Sequence, residues 1–268
     1  MYIFKLKLVA SSLLILSLLA LLALPVMADE LTIVGTGDGT EVLKNIGNAF
    51  SHANRGITVN VPRSIGSGGG VKAVGGGQYL LGRVARPPKK KEEHFGLTYI
   101  PAFKVPVVFF VNENVRINGL SSRDVIDIYS GKITSWDEVG GSGTIRVITR
   151  EKDDSSLKIL SKTFPGFGNI KITSQAKSAI ETPEMIVSVL YRTGAIGFGP
   201  LDVAKAKGLK VLKIDGKSPT DNGYPSLGTI GFVYKSDNFK GAVKKFVEFA
   251  TSAAAHTAIE NAGGIPII

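Results

Sequence analysis

Residues 64–73 of this 268-residue chain read Ser-Ile-Gly-Ser-Gly-Gly-Gly-Val-Lys-Ala, and they are its most informative segment. It follows an alternating apolar run at 57–61 and leads into a segment that has the pattern of a short helix. Consecutive glycines leave the backbone N–H groups of the turn open to a ligand, and the dipole of the helix adds partial positive charge there. The stretch therefore predicts a strand, an oxyanion-binding loop and a helix, in that order.

Two further loops share this architecture of strand, polar turn and helix. They are GTGDGT at 35–40, after the strand 31–34, and REKDDSS at 150–156, after the strand 145–149. Because ligands of open α/β sheets bind outside the carboxyl ends of the strands, we expect the three loops to converge. Each loop taken singly is equally well explained by helix capping, for which these side chains are suited: Asp38, Thr40, Ser67, Asp154 and Ser155. Three such loops, with Arg150 at the start of one, favour an oxyanion cradle.

The rest of the chain alternates short apolar runs with amphipathic segments, which is typical of an α/β fold. Further strands are predicted at 79–85, 97–103, 105–111, 195–198, 210–214 and 230–234, with breaks at Pro101 and Pro106. Helices are predicted after the turn 35–40 and at 121–130, 182–191 and 239–250. The run Lys89-Lys90-Lys91 is interpreted as a solvated helix face.

The first 28 residues have the pattern of a secretory signal. Lys5 and Lys7 precede an apolar run at 8–24, and the small residues Val26 and Ala28 are placed for cleavage before Asp29. Residues 1–28 are therefore predicted to be a signal peptide, with an uncleaved N-terminal anchor as the alternative. Cleavage lowers the formal net charge from +10 to +8, because the segment contains two lysines and no acid. The remaining charge suits anionic ligands, or serves solubility alone.

The composition and motifs argue against an enzyme. The chain has no cysteine, which excludes disulfides, thiolate catalysis and thiolate metal sites. Neither glycine loop has the pattern of a P-loop, and 35–40 does not fit a dinucleotide fingerprint. His52, His94 and His256 are predicted to be surface residues rather than the base of a serine hydrolase. No residues have convincing metal-ligand spacing, so neither a metal nor another cofactor is expected.

Several segments occur in the order found in one protein family. They are the turn 35–40, IGSGGGVKA at 65–73, GRVARPP at 82–88, IYSGKITSW at 128–136, TREKDDSSL at 149–157, AIGFGP at 195–200, KIDGKSPT at 213–220, GYP at 223–225 and GGIPI at 263–267. In these segments the chain resembles the phosphate-binding proteins of bacterial ABC importers, which have the type II periplasmic solute-binding fold. The resemblance covers residues 31–268.

The resemblance implies a two-lobed α/β fold with two crossover strands, near 103–107 and 224–228. Residues 29–104 plus 226–268 would form lobe one, and residues 105–225 would form lobe two. The ligand contacts that it implies are Gly39, Thr40, Ser67, Gly68, Arg150, Asp154, Ser155 and Ser156. Tyr129 and Trp136 are expected to pack inside lobe two rather than to touch the ligand.

The chain departs from the family at one position that bears on selectivity. Ala85 stands where many members have an acidic residue that accepts a hydrogen bond from a protonated oxygen of the bound phosphate. Asp38 is the nearest candidate for a replacement acceptor, with helix capping as the alternative. Either Arg86 faces the ligand, or Arg83 and Arg86 both face solvent. The third loop, with Asp154-Ser155-Ser156, also differs from the Ser-Gly-Thr of many members. A site without the acceptor is expected to discriminate less sharply against fully ionised anions such as sulfate.

The sequence therefore predicts a periplasmic or secreted, monomeric solute-binding protein. It would capture an inorganic oxyanion, most directly phosphate, and pass it to an ABC permease in the inner membrane. Two alternatives stay open: a binder of another oxyanion such as sulfate, and an extracellular scaffold protein that kept the fold without transport. Nucleic-acid binding is not expected, because no basic patch rich in aromatic residues accompanies the positive charge.

Overall fold

The computed structural model describes residues 29–267. The predicted signal peptide, residues 1–28, lies outside the described residues. Within the described part, no helix has both the length and the apolar character required to cross a membrane.

The strands of residues 29–267 are short except for two that connect the halves of the molecule. They are β1 (Asp29–Gly35), β2 (Ile57–Asn60), β3 (Leu81–Val84), β4 (Leu97–Val111), β5 (Gly119–Leu120), β6 (Arg146–Arg150), β7 (Lys177–Ala179), β8 (Ala195–Pro200), β9 (Lys210–Val211), β10 (Lys213–Ile214), β11 (Leu227–Lys235) and β12 (Ile265–Pro266).

The α-helices follow the strands in the alternation that the sequence predicts. They are α1 (Thr40–Ala53), α2 (Gly66–Gly75), α3 (Ser122–Ser130), α4 (Ser155–Thr163), α5 (Thr182–Leu190), α6 (Leu201–Ala206), α7 (Gly241–Ala250) and α8 (His256–Asn261). The Ser121 cap of α3 is observed, since its side chain accepts from the Asp124 amide.

Most of the strands form one continuous sheet, which positions the site loops. Its path is β2-β1-β3-β11-β4-β8-β6-β7, with β9 and β12 also paired to β4. The strands β2, β1 and β3 are parallel to one another, as are β8, β6 and β7. The long strands β11 and β4 lie between these two parallel groups and pair antiparallel. Within each parallel group the carboxyl ends of the strands therefore open toward one edge.

Two separate hydrophobic cores divide the chain into lobes. Lobe one has the core of β1, α1, β11 and α7, and lobe two has the core of β6, β8, α3 and α5. Along β4, Val105 packs in the first core and Val107 in the second; on the return, Tyr224 packs in the second core and Ile230 in the first. The chain thus has the expected two-lobed type II periplasmic fold with two crossing segments.

The strand breaks predicted at Pro101 and Pro106 are wrong, because β4 is continuous through both prolines. Pro101 pairs with Gly231 beside a register shift of β11, where a missing N–H is tolerated. Pro106 forms the last pair with β11, and from Val107 onward β4 pairs with β8 instead. Both prolines therefore lie where the hydrogen-bond ladder is irregular.

Three other elements are shorter than their sequence patterns. The strand predicted at 79–85 is limited to β3, because the Gln78 amide still donates to the Ala73 carbonyl of the preceding helix at 2.9 Å. The segment 210–214 is divided, because β9 pairs with β4 whereas β10 pairs with β5. The helix predicted at 239–250 begins at Gly241, since Phe239 stacks on Tyr234 with ring centroids 4.9 Å apart.

Candidate functional site

The three glycine and serine loops meet in one cleft between the lobes. Residues from 36–38, 64–69 and 150–155 line this cleft together. Ser67 Oγ of lobe one lies 3.3 Å from Ser155 Oγ of lobe two, and Ser156 Oγ donates to Asp38 Oδ1 at 2.7 Å. The convergence expected of strand-end loops is therefore observed. The lobes touch at these side chains, and the part of the cleft around them is called the inner cleft.

Close backbone packing brings the first two loops together. Gly35 has a φ of 140°, and a Cβ on it would lie 1.9 Å from the Arg83 carbonyl oxygen. A Cβ on Gly70 would lie 2.9 Å from Gly35 Cα. Because only glycine fits at both positions, α2 packs directly on the ends of β1 and β3 and its first turn faces the cleft.

Arg150 is a buried cation of the inner cleft. Its Nη2 lies 2.7 Å from Asp154 Oδ2 and also donates to the Ile180 carbonyl at 3.3 Å. Its Nη1 donates to Thr182 Oγ1 at 3.1 Å. Asp154 in addition caps α4 by accepting from the Leu157 amide at 2.8 Å. A ligand therefore meets a preformed ion pair rather than a free guanidinium.

Asp38 presents a buried carboxyl group to the cleft, with 3% of the residue exposed. The capping alternative is wrong, because the N-cap residue of α1 is Gly39 and no side chain of that cap accepts a hydrogen bond. Burial, with the neighbouring carboxylate of Asp154, raises the pKa of Asp38 to about 7, although Ser156 and Arg150 oppose the shift. Asp38 can therefore offer a ligand either a donor or an acceptor near neutral pH.

Ser67 fixes the end of β3 against α2. Its Oγ accepts from the Ala85 amide at 3.0 Å, and Ser67, Gly68 and Ala85 all line the cleft. Ala85 contributes only a methyl group where the resemblance implies a carboxylate. The carboxyl groups of the inner cleft come instead from Asp38 on the first loop and Asp154 on the third.

The two arginines that flank Ala85 have different surroundings. The alternative in which Arg83 and Arg86 both face solvent is wrong, because Arg83 is fully buried. Its guanidinium donates through Nε to the Thr36 carbonyl at 2.7 Å, through Nη2 to the Pro62 carbonyl at 2.8 Å, and through Nη1 to the Ile33 carbonyl. Burial lowers the pKa of Arg83 to about 10. The guanidinium therefore connects the carboxyl end of β1 with the residues that follow β2.

Arg86 lines the cleft, and its two terminal nitrogens donate to the Glu92 carboxylate at 2.7 and 2.9 Å. Its guanidinium hydrogen bonds hold the pKa of Glu92 below the ordinary value. Arg86 therefore presents a paired charge to the cleft, and its role as a direct contact stays a prediction.

Three residues assigned to the ligand by resemblance lie behind the cleft lining. A Cβ on Gly39 would lie 2.8 Å from the Phe103 ring, Thr40 Oγ1 donates to the Gly37 carbonyl at 2.8 Å, and Ser156 is fully buried against Asp38. These contacts support the loops from within. Whether Gly39, Thr40 and Ser156 also touch a ligand stays a prediction.

Asp202 is a buried carboxyl group that the sequence analysis missed. From α6 of lobe two, its Oδ2 accepts from the Glu41 amide at the start of α1 in lobe one, at 2.9 Å. Burial raises the pKa of Asp202 to about 6. The partners are 161 residues apart in sequence, and no local pattern around Asp202 indicates the contact. The Glu41 amide, one of the free N–H groups at the N-terminus of α1, is therefore satisfied by protein rather than left open to a ligand.

Lysines surround the outer part of the cleft, whose volume is about 1270 Å³. Lys89 and Lys91 are exposed, as the solvated-face interpretation expects, but both also line the cleft. Lys72 of α2, and Lys158 and Lys162 of α4, line it as well. Positive side chains of both lobes therefore face the same opening.

The remaining candidates have structural roles. Tyr129 and Trp136 are fully buried in lobe two, as predicted, and Trp136 Nε1 donates to the Gly194 carbonyl at 3.0 Å. His52 and His94 are exposed and His256 is half-buried; His94 lies at the edge of the cleft. In residues 29–267, no cluster of His, Cys, Asp or Glu is suited to a metal ion.

A two-lobed α/β chain with a polar cleft at its strand ends is the architecture of a solute-binding protein. The model of the PBP superfamily domain matches residues 26–254. The chain belongs to this superfamily, as the solute-binding resemblance of its motifs predicts.

Two curated proteins and one solved structure illustrate the relationship. The chain is 31% identical to the phosphate-binding protein PstS 2 of Streptococcus agalactiae over 116 residues, which is 42% of this chain and 39% of that protein. It is 28% identical to protein SphX of Synechococcus elongatus over 249 residues, 80% of this chain and 72% of that protein. The chain thus spans about two fifths of the length of the streptococcal relative.

The solved structure is a phosphate ABC transporter substrate-binding protein from Clostridium perfringens with bound phosphate. It matches with a TM-score of 0.77 and 22% identity, over 90% of this chain and 100% of that chain. This likeness shows the fold.

Proposed function

We propose that this protein captures inorganic phosphate between its lobes and delivers it to an ABC permease in the inner membrane. The observation that carries the proposal is the inner cleft, where Ser67 and Ser155 of opposite lobes approach to 3.3 Å beside the buried Arg150 and the carboxyl group of Asp38. Hydroxyls and a guanidinium are donors suited to anion oxygens. The phosphate-binding names of the relatives support the same ligand.

Asp38 supports phosphate over sulfate. A buried carboxylate repels a fully ionised oxyanion, but it accepts a hydrogen bond from an anion that carries a proton. Phosphate carries a proton at neutral pH, whereas sulfate does not. The carboxyl group of Asp38 thus takes the place of the acidic side chain missing at Ala85, from a different loop.

Capture occurs by closure and involves no bond chemistry. The proposed direct contacts are those side chains and backbone groups of the earlier candidates that line the cleft: Asp38, Ser67, Gly68, Arg150, Asp154 and Ser155. Because these residues belong to both lobes, a bound anion stabilises the closed population more than the open one. We place lobe one at 29–104 plus 226–268 and lobe two at 105–225. The change of core between Val105 and Val107 supports a boundary within two residues of this position.

We also propose that the protein is periplasmic or secreted and that it is a monomer. The localisation is consistent with the signal pattern at residues 1–28 and with the transporter role of the relatives.

The test is phosphate binding by a variant with Arg150→Ala and Ser67→Ala. Loss of one charged and one neutral hydrogen-bonding group is expected to weaken phosphate binding about a hundredfold. The matched control is Arg116→Ala with Ser142→Ala, which removes the same side-chain types from exposed positions outside the cleft. Ser155→Ala alone should weaken binding about tenfold and covers the case in which the double variant does not fold. Unchanged affinity in the folded variants contradicts the proposed site.

A further inference from the structure

The cleft extends well beyond the point where an orthophosphate ion would sit. Its volume of about 1270 Å³ exceeds the roughly 300–1000 Å³ of ordinary small-molecule pockets. The excess is not produced by separated lobes, because Ser67 and Ser155 already touch across the inner cleft and Arg63 pairs with Glu181 across it. A closed inner site with a large open continuation has room for a ligand larger than one phosphoryl group.

The outer part of this cleft is strongly basic. Among residues 29–267, Lys72, Lys89, Lys91 and Lys162 line it without a carboxylate within ion-pair distance. Lys158 is paired with Asp153 at 2.6 Å, and Arg86 is paired with Glu92. Glu151 is an acidic side chain of the lining that has no such partner, so positive charge remains in excess.

The lysines of the two lobes face one another across the opening. In lobe one, Lys89 directly precedes the 3-10 helix Lys90–Phe95 and Lys91 is the second residue of that helix. In lobe two, Lys158 and Lys162 lie on α4. Lys158 lowers the pKa of Asp153 most, and Lys89 and Lys91 lower it further, although Asp153 belongs to the other lobe. An anion placed here would therefore be in the field of lysines from both sides.

This charge is larger than the inner site requires. Arg150 lies in the inner cleft, and a single phosphoryl group bound there would leave the four unpaired lysines without an anionic partner. A ligand with further phosphoryl groups would neutralise them in the closed form, where like charges otherwise repel.

We propose that the outer cleft is a second anion subsite, and that the protein binds compounds carrying two or more phosphoryl groups, with a terminal group in the inner site and the others among Lys89, Lys91 and Lys162. This inference rests on the proposed function of the inner site. Linear condensed phosphates and organic bisphosphates share this chemistry.

The test compares orthophosphate, pyrophosphate, tripolyphosphate and fructose 1,6-bisphosphate by calorimetry at one fixed ionic strength, because screening alters all charge effects. Tripolyphosphate is expected to bind about tenfold more tightly than orthophosphate, since each of three exposed lysines adds a small favourable charge interaction. A gain for tripolyphosphate alone identifies condensed phosphates as the ligand, and a gain for fructose 1,6-bisphosphate alone identifies organic bisphosphates.

The variant Lys89→Met, Lys91→Met, Lys162→Met should abolish that gain while leaving orthophosphate affinity unchanged. The matched control, Lys171→Met, Lys240→Met, Lys245→Met, removes the same charge from exposed positions outside the cleft and should keep the gain. Equal affinity for all four ligands overturns the subsite, and so does an equal loss in the control variant. The cleft variant could instead bind orthophosphate more slowly and still prefer tripolyphosphate. That result would mean that the lysines only attract anions toward the cleft, and it too overturns the second subsite. Absence of orthophosphate binding by the wild type contradicts the proposed function instead.

Discussion

Replacing Asp38 with asparagine should stabilise the ligand-free protein above neutral pH. Asparagine has nearly the same shape, and its Oδ1 can keep the hydrogen bond from Ser156 Oγ, which is 2.7 Å long in the wild type. In the wild type, burial and the negative charges of Asp154 and Asp202 disfavour ionisation of the Asp38 carboxyl group, whereas Ser156 and Arg150 favour it. Its pKa of about 7, against 3.8 for an ordinary aspartate, measures this cost.

The sign and the size of the effect follow from proton linkage. Because the folded-state pKa lies above the unfolded value of 3.8, folding is favoured by the protonated form, and this stability is lost as the pH rises through about 7. Between pH 5 and pH 8 the wild type should lose about 3 kcal/mol from this group, or roughly 6–12 °C in Tm for a chain of this size. Asp202, whose pKa is raised to about 6, titrates in both proteins. The difference between the two proteins at each pH therefore reports the titration of Asp38 together with its interactions with Asp154 and Asp202.

The assay is urea unfolding followed by circular dichroism between pH 5 and pH 8, in buffer free of phosphate and sulfate. Asp237→Asn is the matched control, because Asp237 is exposed and lies outside the cleft. The free energy of unfolding of D38N should exceed that of the wild type by a margin that grows with pH, whereas the control should show no such trend. A margin that stays constant from pH 5 to pH 8 refutes the assignment of a raised pKa to Asp38.

Three further substitutions test the support beneath the site. Arg83→Met removes three charge-assisted hydrogen bonds to buried carbonyls and should lower the free energy of unfolding by about 3 kcal/mol in urea; a loss below about 1 kcal/mol would show that burying the charge cancels these bonds. Gly35→Ala places a Cβ 1.9 Å from a backbone oxygen and should cost more than about 3 kcal/mol, whereas the control Gly96→Ala, at a φ of 61° with open space around it, should cost about 1–2 kcal/mol. Similar costs for both glycines would contradict the close approach of β1 and β3. Arg63→Ala breaks the exposed pair with Glu181 and should leave the urea midpoint and the phosphate affinity unchanged; a large loss of affinity would give that pair a part in closure.

The order of elements and the convergence of the loops were predictable because both follow from local pattern. Apolar alternation before each polar turn marks β1, β2 and β6, and parallel strands bring their carboxyl ends to one edge. The Asp154 cap and the burial of Trp136 also depend on near neighbours or on strong apolar character.

Long-range contacts account for what the sequence did not reveal. The prolines of β4 are tolerated because of where β11 and β8 pair with it, which a single strand pattern cannot show. Arg83 has a charged side chain of the kind usually found at the surface, yet its guanidinium donates to three backbone carbonyls that are distant from it in sequence. Asp202 reaches a helix of the other lobe. In each case the partner is set by the tertiary fold rather than by neighbouring residues.

Calorimetric titration with phosphate and with sulfate at low salt shows whether the cleft is an oxyanion site. The sample is the chain that begins at Asp29, freed of co-purified anions. Saturable binding of one phosphate per chain, with sulfate binding much more weakly at pH 8 than at pH 5, is the result that the buried Asp38 predicts. Absence of binding for both anions would contradict the oxyanion site and favour a scaffold role for this fold.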